Sequence, residues 1–161
     1  MSRVTLQPAT AAHEEAIKAL IRSVRINPLG LDWRRFVVAV GVNGRVVGCG
    51  QVKPHGDGSR ELASIAVAPG YRRQGVARAI ITELLGRHAP PLWLTCMSPL
   101  VPFYAQFGFR EVHAPDNMPP YFRRVVRLMR LFTAFSSRQA YLAVMVRRNA
   151  PDHPWQFVDN S

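Results

Sequence analysis

Two arginines in a short loop, set between a β-rich run and a helix start, are the residues of this chain with the clearest chemistry. The block Glu61-Leu62-Ala63-Ser64-Ile65-Ala66-Val67-Ala68-Pro69-Gly70-Tyr71-Arg72-Arg73-Gln74-Gly75-Val76-Ala77 reads as strand, loop and helix opening. The exposed N–H groups at a helix start, together with the helix dipole, favour negative charge there. Gly75 and Ala77 lack bulk, so a pyrophosphate can approach the backbone, and Arg72 and Arg73 add charge-assisted hydrogen bonds. There is no Gly-Lys-Ser/Thr for a nucleotide P-loop and no Gly-x-Gly-x-x-Gly for a dinucleotide site. The competing reading is a surface turn that happens to carry arginines.

The elements that must position this loop follow from pattern. Arg3 to Leu6 reads as a first strand, and Thr10 can cap a helix carrying Ile17, Leu20, Ile21 and Val24 at helical spacing. Phe36 to Val42 and Arg45 to Val52 are β-rich runs joined by Asn43-Gly44, the dipeptide suited to a tight hairpin. A second turn at Gly56-Asp57-Gly58 leads into Glu61 to Val67, whose weak alternation predicts a central strand covered on both faces. From Gly75 the period becomes helical, with Val76, Ile80, Ile81 and Leu84 on one broad apolar face. Leu92 to Met97 is the next strand. Pro102 opens a short helix closed by Gly108, Phe109 to His113 forms a strand, and a basic amphipathic helix runs from Tyr121 to about Phe135. A last strand spans Ala140 to Val146. The order predicts an α/β fold with a mixed sheet of about six to seven strands, the central strand parallel to its successor.

At 161 residues the chain fits one domain, expected over residues 1–147 with an irregular tail over 148–161. A hydrophobic share of 48% excludes a disordered tail protein. No run approaches the roughly 18 apolar residues of a membrane span and the start carries charges too early for a secretory signal, so the expected compartment is the cytoplasm. Cys49 and Cys96 read as buried, reduced hydrophobes. The five histidines are scattered and imply no metal site. A formal charge of +11 suits an anionic cofactor or an acidic partner.

Arg72-x-x-Gly75-x-Ala77 after a Val-x-Pro strand end resembles the acetyl-CoA signature of the GNAT superfamily. Phe103-Tyr104-Ala105-Gln106-Phe107-Gly108-Phe109 is similar to its Phe-Tyr-x-x-x-Gly-Phe, one strand further on. The resemblance covers Arg3 to Arg147. It looks closest to poorly characterised bacterial and plastid members, on Leu31-Asp32-Trp33-Arg34-Arg35-Phe36 and Met118-Pro119-Pro120-Tyr121-Phe122-Arg123-Arg124. It implies the GNAT acyl-CoA N-acyltransferase fold, in which the strands beginning at Glu61 and Leu92 form a parallel pair splayed at the cofactor site. It further implies that Ile65, Ala66 and Val67 pair with the pantetheine arm of acetyl-CoA and that Arg72, Arg73, Gln74, Gly75, Val76 and Ala77 hold its pyrophosphate. The sequence departs from many relatives in Met97 and Leu100, where they carry asparagine and alanine.

Amine attack needs a neutral nucleophile, yet a lysine amine titrates near 10.4 and an α-amino group near 8, so a base must help. Glu61 stands where some branches of the family carry a catalytic glutamate, and partial burial would bring it towards the working range; the alternative is a carboxylate balancing nearby arginines. Tyr104 is expected to protonate the departing CoA thiolate or hydrogen-bond its sulfur; the alternative is a half-buried aromatic. The acceptor wall is expected from the Ile26 to Trp33 loop and the Tyr121 to Phe135 segment. The acceptor is an amine of a small molecule or a protein. The arginine-rich helix reads as a solvated face over the sheet, with a membrane-surface or nucleic-acid patch, or a partner interface, as alternatives. The last strand can pair across a homodimer. The rival function is a non-catalytic acyl-CoA-binding or interaction module with a basic docking face.

Overall fold

A computed structural model describes residues 3–133 and 139–149. Seven strands form one mixed sheet in the order β1-β2-β3-β4-β5-β7-β6. They are β1 (Val4–Pro8), β2 (Phe36–Gly41), β3 (Val46–Pro54), β4 (Arg60–Val67), β5 (Leu92–Met97), β6 (Arg110–Glu111) and β7 (Leu142–Arg147). The helices are α1 (Glu14–Ser23), α2 (Val76–Arg87), α3 (Val101–Ala105) and α4 (Pro120–Thr133). The expected helix end at Phe135 and most of the tail expected from 148 onward lie outside the described residues.

The two faces of the sheet are covered differently. Val37, Ala39, Leu62, Leu94 and Met145 meet Val76, Ile80, Ile81 and Leu84 of α2 in one core that spans the sheet. On the opposite face, α1 packs Ile17, Leu20 and Ile21 against Phe36, Val38, Cys49 and Ala66. Further along that face, α4 packs Phe122 and Val126 against Trp93, Val144 and Val146. Two glycines let α2 approach β3 closely. A Cβ on Gly48 would meet Ile80 and Val76 at 2.9 Å, and one on Gly50 would meet Ile65 at 2.6 Å.

Several boundaries differ from the pattern reading. Thr10 precedes a single 3-10 turn, Ala11–His13, before α1 begins at Glu14. The strand expected from Phe109 to His113 is only two residues long. Phe109 leaves the edge to bury itself in the core at 1% exposure, immediately after Gly108 turns the chain with φ +85°. On α4 the buried stripe is Phe122 and Val126. Arg123 is drawn off the solvated face, donating to the carbonyls of Pro115 and Met118.

Two irregularities shape the middle of the sheet. In the β3–β4 ladder Cys49 faces Ala66 and Gln51 faces Ala63, so β4 carries one extra residue, with Ser64 at φ +59°. The bulge resets the alternation, and Leu62 and Ile65 therefore both face α2. The parallel β4–β5 ladder holds one Cα pair, Glu61 with Trp93. Beyond it β5 stays paired to β7 along its full length. The two strands part, which is the splay that the resemblance implies.

Candidate active site

The arginine loop sits where β4 hands over to α2. Gly75 is the N-cap of α2 in the left-handed conformation, φ +81°, and Arg73 shares that region at φ +58°. A Cβ at Gly75 would meet nothing within 4 Å, so the backbone angle and not space calls for glycine there. Left-handed residues in such a turn gather successive N–H groups on one side, and those of Val76 and Ala77 have no preceding helical turn to bond to. Strain of this kind costs about 1 to 2 kcal/mol per non-glycine residue, and it lies at the candidate anion site. Arg72 donates from Nε to the Val67 carbonyl at 3.2 Å, which ties the loop to the end of β4. A cavity of about 300 Å³ opens here, lined by Val67, Tyr71, Arg72, Gly75, Ala77 and, from α3, Phe103. A larger cavity of about 760 Å³ lies under β6, between Val101 and Arg148, and includes neither the arginine loop nor Glu61.

Tyr104 approaches the parted strands from the α2 face. It packs against the core cluster that holds Cys96 of β5, with Phe103 and Phe109 edge-on to its ring. Burial, with Cys96 close by, pushes its phenol up to about 12, so it is a proton donor throughout the neutral range. Among the described residues its hydroxyl makes no hydrogen bond. Burial likewise raises the Cys49 thiol to about 12 and the Cys96 thiol to about 11, which keeps both inert, as expected for buried hydrophobes.

Glu61 is buried on the other face, and its surroundings are polar. Cys49, Gln51 and Lys53 alternate along β3 onto that face, and His55 follows after the strand ends. The turn closing at His55 and Ser59 folds them back over Glu61. His55 Nε2 lies 2.8 Å from Glu61 Oε2, and Lys53 Nζ is 3.8 Å from the same oxygen. The Thr95 hydroxyl donates to Glu61 Oε1 at 3.4 Å. Further in, Gln51 donates to the Ser64 hydroxyl at 2.9 Å and to the Gly30 carbonyl at 3.3 Å. Thr95 and Cys96 are neighbours on β5 and alternate in direction, so one addresses Glu61 and the other Tyr104. The carboxylate and the phenol thus address the opening from opposite sides of the sheet.

Two segments expected to form an acceptor wall converge on Glu61. The Ile26 to Trp33 loop reaches it through Gly30, whose added Cβ would lie 3.8 Å from Lys53 Nζ. The α4 helix reaches it through Tyr121, which stacks on His55 with centroids 3.5 Å apart. Asp57 fastens α4 in place by accepting the Tyr121 backbone N–H at 2.8 Å. Burial alone would raise the Asp57 carboxyl, but hydrogen bonds from Ser59 and Tyr121 outweigh it and bring the group down to about 2.

The sequence does not single out Lys53, His55 or Thr95. The signal was the period of β3: residues two apart share a face, and a tight turn at 56–59 sets them opposite Glu61. The expected donor-site residues Ile65, Ala66 and Val67 do lie on the edge of β4 that β5 has left, next to the arginine loop.

A family model described as an acetyltransferase (GNAT) domain matches residues 32–111, about half of the chain. By sequence, no curated protein matches. Among solved structures the chain is similar to N-acetylglutamate synthase from Neisseria gonorrhoeae, complexed with coenzyme A and N-acetyl-glutamate. That likeness has TM-score 0.66 at 18% identity and covers 92% of this chain and 36% of that one. The chain therefore spans about a third of that protein's length. It is similar to Escherichia coli ElaA at TM-score 0.65 and 16% identity, covering 91% and 100% of the two chains. It is also similar to Rv2747 from Mycobacterium tuberculosis, in complex with CoA and NLQ, at TM-score 0.63 and 22% identity over 88% and 98%. These likenesses concern the fold, while the family model spans β2 to β6 and with them the arginine loop, Glu61 and Tyr104. The chain belongs to the GNAT family of acetyltransferases, whose members take acetyl-CoA as acyl donor and an amine as acceptor.

Proposed function

We propose that the chain transfers the acetyl group of acetyl-CoA directly to an amine of a small-molecule or protein acceptor, with Glu61 as base and Tyr104 as acid. One observation carries this reading: β4 parts from β5 after a single pair, with a buried carboxylate on one face of the opening and an unpartnered phenol on the other. The free edge of β4 at Ile65, Ala66 and Val67 offers backbone groups to the amide-bearing arm of the donor. Arg72, Arg73, Gln74, Gly75, Val76 and Ala77 hold its pyrophosphate, a role that the left-handed turn and the adjoining cavity support.

The amine comes from the α1/α4 face. As its nitrogen bonds to the acetyl carbon, its proton passes to Glu61, and the carbon–sulfur bond breaks. The sulfur takes the proton of Tyr104, which solvent restores. His55 and Thr95 hold the carboxylate in place while it awaits the proton. Because the donor enters from one face and the acceptor from the other, both fit at once, so no covalent acyl-protein stage is needed.

The test is release of free CoA from acetyl-CoA by purified protein against a panel of amines, peptides and protein N-termini, with CoA binding measured in parallel. Acceptor-dependent release is the expected result. Binding without release on any acceptor would leave a non-catalytic acyl-CoA-binding module, and absence of binding would overturn both.

A further inference from the structure

Lys53 is placed as no charge-balancing residue needs to be. Its side chain is 12% exposed, and among the described residues its ammonium makes no hydrogen bond. Its nearest anion, Glu61 Oε2, is 3.8 Å away and already engaged by His55 at 2.8 Å. The next carboxylate of the hairpin, Asp57, is occupied by Ser59 and the Tyr121 N–H. Its three N–H donors thus face one ion-pair partner and no hydrogen-bond acceptor among the described residues. Gln51, two residues earlier on the same face of β3, has the complementary shortfall. Its Oε1 is buried and unpartnered among the described residues. Its amide orientation is fixed because Nε2 serves the Gly30 carbonyl, which only a donor can do.

The proton transfer sharpens the imbalance. With Glu61 charged, Lys53 has a counter-ion. Once Glu61 has taken the amine's proton it is neutral, and the largely buried ammonium loses its counter-ion, which is costly. An anionic group on the acceptor would restore the balance at that moment and would fill the unused donors. A cationic acceptor such as a polyamine would instead meet Lys53 head on.

Resting on the proposed transfer, we infer that the acceptor is an amine that also carries a carboxylate a few bonds away, as an amino acid does, and that Lys53 is the residue that reads it. Lys53 is then a specificity residue and takes no part in the bond changes.

The test uses matched acceptors: L-methionine with L-methioninamide, L-phenylalanine with L-phenylalaninamide, and 4-aminobutyrate with butylamine. Rates are expressed per unprotonated amine. At least one carboxylate member should exceed its neutral partner about tenfold or more in kcat/KM. Lys53→Met should abolish that preference, read as the ratio of kcat/KM within each pair whatever happens to the absolute rates, and Lys53→Arg should retain it. Acetyl-CoA binding by each variant reports that the fold is intact. A merely structural lysine would lower both members of a pair alike, and that result, or equal wild-type rates within every pair, would overturn the inference while leaving the transferase standing. CoA binding with no release on any acceptor would instead remove the transferase reading itself.

Discussion

In the proposed transfer Glu61 and Tyr104 do opposite things with a proton, and their settings suit that division. Glu61→Gln keeps the shape and the Thr95 contact but removes the proton acceptor. Turnover at neutral pH should fall about a hundredfold or more, and the deficit should narrow as pH rises and the amine loses its proton unaided, read from a pH–rate profile of both proteins. Tyr104→Phe removes a phenol that burial holds at about 12. The leaving thiolate is a good one, with a thiol pKa near 8.5, so the loss in kcat should be about tenfold, with acetyl-CoA affinity within about twofold of wild type. Since the protonated phenol prevails below about 12, the wild-type profile should show no alkaline decline from Tyr104 until above about pH 11. Tyr104 could be picked out because it sits in a motif, and Glu61 because it stands where some branches of the family carry a glutamate. His55 and Lys53 could not, since their link to Glu61 runs through the register of a hairpin, and Ser64 could not, since nothing in a serine announces φ +59°.

The elements were legible where local chemistry decides them. Asn43-Gly44 makes its hairpin, Leu92–Met97 is the strand the pattern gives, and α2 begins after Gly75. They were less legible where a distant surface decides: Phe109 leaves β6 for the core, and the buried stripe of α4 is set by Trp93 and Val144 beneath it. What docks α4 over Glu61 is in part the Asp57 carboxylate against the helix start. Its folded pKa is lowered to about 2 from an ordinary 3.8, so its contribution is present above about pH 4 and is lost as pH falls towards 2. Asp57→Asn should therefore unfold at lower urea than wild type at pH 6, and the two midpoints should converge near pH 2. A gap that persists there would show that charge is not what Asp57 supplies. The same variant should raise KM for the acceptor more than for acetyl-CoA if α4 forms the acceptor wall as proposed.

At the scale of the whole molecule, the proposed donor site gives the excess of cations a use. Arg72 and Arg73 are both exposed, and a pyrophosphate approaching them feels a field that salt screens over about 10 Å at 0.1 M and about 3 Å at 1 M. Affinity for CoA should weaken about fivefold or more between about 0.05 and 0.5 M salt, and Arg73→Gln should flatten that slope, measured by titration calorimetry. Among the described residues no helix is long and apolar enough to cross a membrane. The lone Glu61–Trp93 pair has one more consequence. It makes the sheet two plates, β1 to β4 and β5 to β6, riveted at one end and open along the rest of the joint. An acyl donor lying along β4 would act as the missing slat between them, so catalytic readiness and mechanical stiffness should arrive together. The amides of Ile65 and Val67 should exchange with deuterium quickly in the free protein and slowly once CoA is bound, and the thermal midpoint should rise with them.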